Sequence, residues 1–201
     1  DMIALGMVFV TSRWRVAIHR LPRMEETVTL TTWHRNRKGP RFFRCYEWRA
    51  ADGTLLIEGV MQFALVSVTD HRLLRGDEFM ALAPLPDATR GVSCADPGRF
   101  RLTQEKDSGT HRVRWSDIDR NGHMNNTRYL DWVDDLLPSA FHGAHPAREF
   151  SVCYLSEARE QQQIELTWEL SEGPVLQVDA RRKETSVDAG QSRVFTVQIL
   201  F

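Results

Sequence analysis

Lysine is nearly absent from this chain. Of its 26 Lys and Arg residues only Lys38, Lys106 and Lys183 are lysine, and the other 23 are arginine. The skew has an ordinary reading in genome composition. It also has a functional one, because the guanidinium fork grips carboxylates and phosphates in a bidentate way. A large net charge is lacking too: the formal value is −1, which argues against a general nucleic-acid binder. Cysteine is scarce. Cys45, Cys94 and Cys153 are odd in number and far apart, so neither a disulfide framework nor a zinc knuckle is supported. No apolar run approaches the length of a membrane span. The first residues, Asp1 to Gly6, lack the charged start and small-residue cleavage site of a signal peptide. Together these features lead us to expect a reducing, cytoplasmic setting with no nucleic-acid or membrane partner.

What is present reads mostly as strands. Residues 7–18, Glu26 to Trp33, Phe42 to Trp48 and Leu55 to Val68 are rich in β-branched and aromatic residues. The turn signal Ala51-Asp52-Gly53-Thr54 separates the last two. Strand texture resumes at 110–116, 149–155, 162–170, 174–183 and 192–201. Between the two series, Pro84, Pro86, Pro97, several Gly and Asp and few aromatics mark a connecting segment. The expected division is therefore an N-terminal half at 1–75, a linker at 76–109 and a C-terminal half at 110–201.

One helix stands out, from Asn126 to Leu137. Tyr129, Leu130, Val133, Leu136 and Leu137 form an apolar stripe, with Asp131, Asp134 and Asp135 opposite. Asn125 or Asn126 can cap its start, and Pro138 ends it. The three aspartates oppose the helix dipole, so packing must hold the helix. A faint internal repeat accompanies it. A shift of 136 residues places Tyr154 on Ile18, Arg159 on Arg23, Ile164 on Val28 and Leu166 on Leu30. The repeat suggests a duplicated unit of one helix wrapped by an antiparallel sheet. No helix is evident before the strands of the first half.

Residues 117–128 carry the densest polar chemistry, and three readings compete for them. Asp117, Asp119, Asn121 and Gly122 match the opening of a calcium loop. That reading fails at Arg128, a cation where a bidentate Glu belongs, and His111 to Trp115 alternates like a strand. A structural reading takes Asn-Gly as a turn and Asn as a cap, and makes Asp117 a turn former. The third reading is catalytic. Asp119-x-Asn121-x-His123-x-Asn125-Asn126-x-x-Tyr129-x-x-Trp132, followed about thirty residues later by Tyr154-Leu155-Ser156-Glu157-Ala158, resembles the two active-site segments of acyl-[acyl carrier protein] thioesterases. Arg20-Leu21-Pro22, Thr31-Thr32-Trp33 and Val68-Thr69-Asp70 are similar in style to the same family's first half.

The resemblance implies an α+β double hot-dog of the bacterial type, with two antiparallel sheets each wrapping a central helix. It implies a thioester hydrolase of fatty-acid biosynthesis that releases free fatty acid from acyl carrier protein, whose phosphopantetheine arm carries the acyl chain. No cofactor or metal is implied, and tandem halves suit a monomer or a homodimer. The family's catalytic Asp, Asn, His and Glu fall on Asp119, Asn121, His123 and Glu157. Plant members often carry Cys directly after that Glu. Here the residue is Ala158, which excludes a cysteine nucleophile at this place, and Cys153 reads as core.

In such a site His123 and Glu157 would activate a water, or Glu157 would attack directly to form an anhydride. Asn121 would donate to the thioester carbonyl, with backbone N–H groups near Asn125 and Asn126 adding to the field, and Asp119 would orient its neighbours. Glu157 shifts onto Leu21, and the first half has no Asp-x-Asn-x-His segment. One active site per chain is therefore expected, in the C-terminal half. An apolar channel for the acyl chain is expected between helix and sheet. Arg120, Arg128 and Arg159 could steer an acidic carrier. The alternatives are a hot-dog thioesterase acting on acyl-coenzyme A and a non-catalytic acyl-binding module.

Overall fold

The structure is a computed structural model that describes residues 2–85, 90–102, 104, 106–183 and 193–201. Asp1, Pro86 and residue 192 of the sequence reading lie outside the described residues. The chain divides into two compact units, Asp1–Pro97 and Gly98–Phe201.

The first unit is an antiparallel sheet of four long strands, β1 (Met7–Ile18), β2 (Val28–Lys38), β3 (Arg41–Ala50) and β4 (Leu55–Ser67). Their order is β2-β3-β4-β1. All four fall where β-branched and aromatic residues cluster, as expected for half-buried pleated surface. On one face Phe9, Phe42 and Phe63 meet edge to face, and Phe79 closes the group with centroids 5.1 Å from Phe9 and 5.6 Å from Phe42. Phe79 belongs to a short helix, α1 (Gly76–Leu82), within the stretch expected to be a linker. Its ring is buried with Met7, Phe42 and Leu65.

The rest of that stretch is no free connector either. Residues 90–96 are bound to residues of the same unit. Trp33 Nε1 donates to the Arg90 carbonyl at 2.9 Å, and the Arg90 guanidinium lies 3.9 Å from the Trp33 ring centroid. Val92 packs on the Phe43, Cys45 and Val60 cluster. Asp96 pairs with Arg35 and with Lys38. Glu58, only 2% exposed, accepts from the Ser93 N–H at 2.9 Å, from the Ser93 hydroxyl, and lies 3.2 Å from His19 Nε2. The boundary between units therefore falls at 97/98. The segment's polar composition hid a run of pairings that only the folded sheet supplies.

The second unit repeats the first. Its strands are β5 (Asp107–Arg112), β6 (Glu149–Tyr154), β7 (Gln163–Leu170), β8 (Val175–Arg182) and β9 (Arg193–Leu200). Their order is β6-β9-β8-β7-β5. Under the 136-residue shift β1 to β4 fall on β6 to β9, and β2-β3-β4-β1 becomes β7-β8-β9-β6, the same order. Ile18 ends β1 as Tyr154 ends β6.

The expected helix from Asn126 to Leu137 is shorter. α2 spans Arg128–Asp134 and buries Tyr129, Trp132 and Val133. Leu136 and Leu137 continue in tight turns with bonds to Val133 and Asp134. Asp131, Asp134 and Asp135 oppose the dipole, and Pro138 disfavours helical geometry in Leu137, so the helix stops early. A further short helix, α3 (Ser139–Ala144), follows Pro138. No helix among the described residues is long and apolar enough to cross a membrane.

Burial raises the pKa of Glu58, but the hydrogen bonds from Ser93, His19 and Cys94 outweigh it and hold the value below 4.5. A carboxylate whose folded pKa is depressed adds stability above its unfolded pKa and loses it as pH falls. Glu58→Gln should therefore lower unfolding free energy by about 1–3 kcal/mol at neutral pH. The difference from wild type should shrink as pH falls below 4.5. Denaturant melts at a series of pH values measure both effects.

Candidate active site

A tight reversal places Asp119 beside His123. Asp119 N donates to the His123 carbonyl at 3.0 Å, and Gly122 N to the Asp119 carbonyl at 3.0 Å. Ile118 and Met124 form an antiparallel bridge. Gly122 has φ +80°, a conformation that carries a penalty for any residue with a Cβ. The Asp119 carboxylate accepts from Asn121 N at 2.8 Å and from the Asn121 side-chain amide at 3.3 Å. Its Oδ1 lies 4.0 Å from His123 Nδ1. The alternate spacing of Asp119, Asn121 and His123 thus resolves into a hairpin turn that gathers all three.

Glu157 arrives from the far side of the sequence. The Met124 N–H donates to the Ala158 carbonyl at 2.8 Å, and both residues are buried, at 1% and 0% exposed. Each follows a site residue in the chain, so the bond draws His123 and Glu157 together. His123 Nε2 lies 3.9 Å from Glu157 Oε1. Arg159 Nη2 lies 3.7 Å from the other carboxylate oxygen. The imidazole therefore has a carboxylate facing each nitrogen. Its side chain is 29% exposed and that of Glu157 is 49% exposed, open enough for a substrate to reach both.

Asn125 has different surroundings from those expected, while Asn126 is exposed. The Asn125 N–H is engaged by the Asp117 carbonyl at 2.8 Å, and its side-chain oxygen accepts from Thr127 N and Oγ1, both at 2.9 Å. It is an Asx turn leading into α2, whose first residue is Arg128. The Asn126 carbonyl accepts from the Tyr154 hydroxyl at 3.1 Å. Asp117 turns its carboxylate back to Arg114 N at 2.8 Å, as a turn former does. Among the described residues no cluster of His, Cys, Asp or Glu is arranged to hold a metal ion.

Between α2 and the sheet of this unit the Tyr129 ring packs on two other aromatic rings. The Tyr129 ring sits 4.7 Å from Phe195 and 5.6 Å from Tyr154, centroid to centroid. Cys153 is buried, with its thiol directed to the Gly98 carbonyl at 3.2 Å.

Tyr129, so far only a member of the motif and the apolar stripe, also reaches the site, and a second contributor, Arg182, lies outside both motif segments. Burial pushes the Tyr129 hydroxyl up to about 12, a hydrogen bond from the Ala158 backbone opposes that shift, and Glu157 and Asp119 reinforce it. The phenol therefore stays protonated under the Glu157 loop. Arg182 at the end of β8 donates to the Glu157 carbonyl at 2.8 Å and to Ser156 Oγ at 3.2 Å. Its signal was faint but present. Leu176, Val178 and Ala180 are buried at alternate positions of β8, and Arg182 is the charged residue that continues that series.

Residues 101–194 match the profile described as the acyl-ACP thioesterase C-terminal domain. The dodecanoyl-[acyl-carrier-protein] hydrolase of Umbellularia californica chloroplasts is 24% identical over 175 residues, covering 78% of this chain and 43% of that protein. The chain thus spans less than half the length of that curated relative. An acyl-ACP thioesterase structure from Bacteroides thetaiotaomicron superposes with a TM-score of 0.86 at 20% identity, over 100% of this chain and 79% of that one. The 12:0-ACP thioesterase of Umbellularia californica gives 0.82 at 20% identity, over 99% and 76%. The repeated sheets, the short helix and these matches agree: the fold is the double hot-dog, and residues 101–194 carry the profile of the acyl-ACP thioesterase C-terminal domain.

Proposed function

We propose that this chain hydrolyses the thioester of fatty acyl-[acyl carrier protein], releasing free fatty acid and the carrier's thiol. The observation that carries the reading is the approach of His123 Nε2 to Glu157 Oε1 at 3.9 Å, in a chain whose relatives are named for that reaction. A separation of 3.9 Å is too long for a direct hydrogen bond. It leaves room for one water held at about 2.8 Å from each group.

In this reading the water oxygen attacks the thioester carbonyl carbon while its proton passes to the His123–Glu157 pair. The carbon–sulfur bond breaks, the thiolate leaves, and the proton held by the pair returns to it. The thiolate of a phosphopantetheine arm leaves readily, so activation of the attack matters most. Asp119 faces Nδ1 and favours the tautomer that leaves Nε2 able to accept a proton. Asn121, whose amide already touches Asp119, has a second N–H to direct at the developing oxyanion. With Asn125 N–H engaged by Asp117, the side chain of Asn121 is the better donor. The shared-water geometry favours water over direct attack by Glu157.

A panel of acyl-carrier-protein and acyl-coenzyme A thioesters of different lengths, followed by free-thiol release, tests the activity and separates the two carriers. Turnover of none of them would sink the hydrolase reading. His123→Ala and Glu157→Ala should each lower kcat by about 10²–10⁴-fold, with melting temperatures close to wild type. Unchanged turnover in either would remove that residue from the chemistry.

Arg120 and Arg159 are exposed near the turn and the glutamate; Arg159 lies 3.7 Å from Glu157, and Arg128 is paired with Asp131 at 2.8 Å. Recruitment of an acidic carrier by such cations predicts that kcat/KM for acyl carrier protein falls as salt is added. For an uncharged acyl-pantetheine it should stay level. Equal salt responses would remove electrostatic steering.

A further inference from the structure

We propose that Arg182 is the positioning residue that holds Glu157 opposite His123. The role rests on the hydrolase reading above and assigns a part in it to a residue outside both motif segments.

The loop carrying Glu157 is held at several backbone groups. Leu155 N and Ser156 N both donate to the Val194 carbonyl on β9, at 2.9 and 3.1 Å. The Ala158 carbonyl accepts from Met124 N. Between these two anchors lies the Glu157 carbonyl, which accepts from Arg182 Nη2 at 2.8 Å. The same Nη2 reaches Ser156 Oγ at 3.2 Å, and that hydroxyl donates onward to the Arg193 carbonyl at 2.8 Å. One guanidinium nitrogen, with its two N–H groups, therefore joins the loop to β8, and the serine joins it to β9.

Rotation of the Glu157 peptide plane would swing its side chain, and the 3.9 Å approach to His123 Nε2 depends on where that side chain starts. Arg182 is the described donor to the Glu157 carbonyl and holds that side of the peptide plane, whose other side, the Ala158 N–H, bonds Tyr129. The guanidinium is also permanently charged. It lies on the backbone side of Glu157, leaving the carboxylate itself to face His123 and Arg159. Arg182 thus orders the base without competing for its oxygens. A lysine offers a rotating point charge in place of a planar fork, and would hold the plane less firmly.

The experiment compares wild type, Arg182→Gln, Arg182→Lys, Glu157→Ala and the double variant Arg182→Gln/Glu157→Ala on one acyl-carrier-protein substrate, with melting temperatures for each. Displacement of a reacting group by about 1 Å can cost on the order of 100-fold. Arg182→Gln should accordingly lower kcat by about 10–100-fold, with KM within about twofold. Arg182→Lys should recover part of the loss. In the Glu157→Ala background, Arg182→Gln should cost little more, because the group it positions is gone. Additive losses in the double variant, or Arg182→Gln with wild-type kcat, would overturn the role. So would loss of the folded transition in Arg182→Gln alongside Arg182→Lys with wild-type kcat, since Arg182 would then serve only the fold. A wild type that turns over no thioester is a separate result: it overturns the hydrolase reading itself.

Discussion

One buried hydrogen bond, from the Met124 N–H to the Ala158 carbonyl, organises the site. It closes 2.8 Å across two loops that are 34 residues apart in sequence. Both partners are sealed from water, so breaking the bond would strand a donor and an acceptor in an apolar place. His123 precedes one partner and Glu157 the other. Their side chains consequently emerge side by side at the surface while the bond beneath them stays dry. The Tyr129 ring, which bonds the Ala158 backbone through its hydroxyl, packs against Tyr154 and Phe195 beside the same junction.

The two units show how much a duplicated sheet can diverge. Both run in the same strand order, yet the polar residues serve different ends. In the first unit Glu58 is buried and bound to Ser93 and His19, and its charge fastens a strap of chain to the sheet. In the second unit the carboxylates of Asp119 and Glu157 remain accessible and flank an imidazole. The contrast lies in burial: a carboxylate sealed among donors is held in place and serves stability, whereas one at the rim stays open to solvent.

Much of the fold was legible. Alternating apolar and β-branched residues located all nine strands to within a few residues, because strand pattern has a period of two whatever the neighbours do. The helix was overread. Its apolar stripe ran on to Leu137, but the acidic residues and Pro138 ended it at Asp134. The stretch 76–109 resembles a linker because it combines three prolines, several Gly and Asp and few aromatics. Its one decisive aromatic, Phe79, shows its meaning only beside Phe9 and Phe42.

By itself the sequence determined the strands, the repeat and the chemical character of residues 119–123 and 157, since these follow from residue type and spacing along the chain. Tertiary structure alone decided which of those groups meet. Asn125, inside the motif, has its N–H and side-chain oxygen taken up by turn contacts, while Arg182, remote from it, came to rest on the Glu157 carbonyl. Periodicity records which face a side chain occupies. It does not record which loop lies across from that face, because hydrogen bonds such as Met124 to Ala158 join backbone groups that every residue type carries alike.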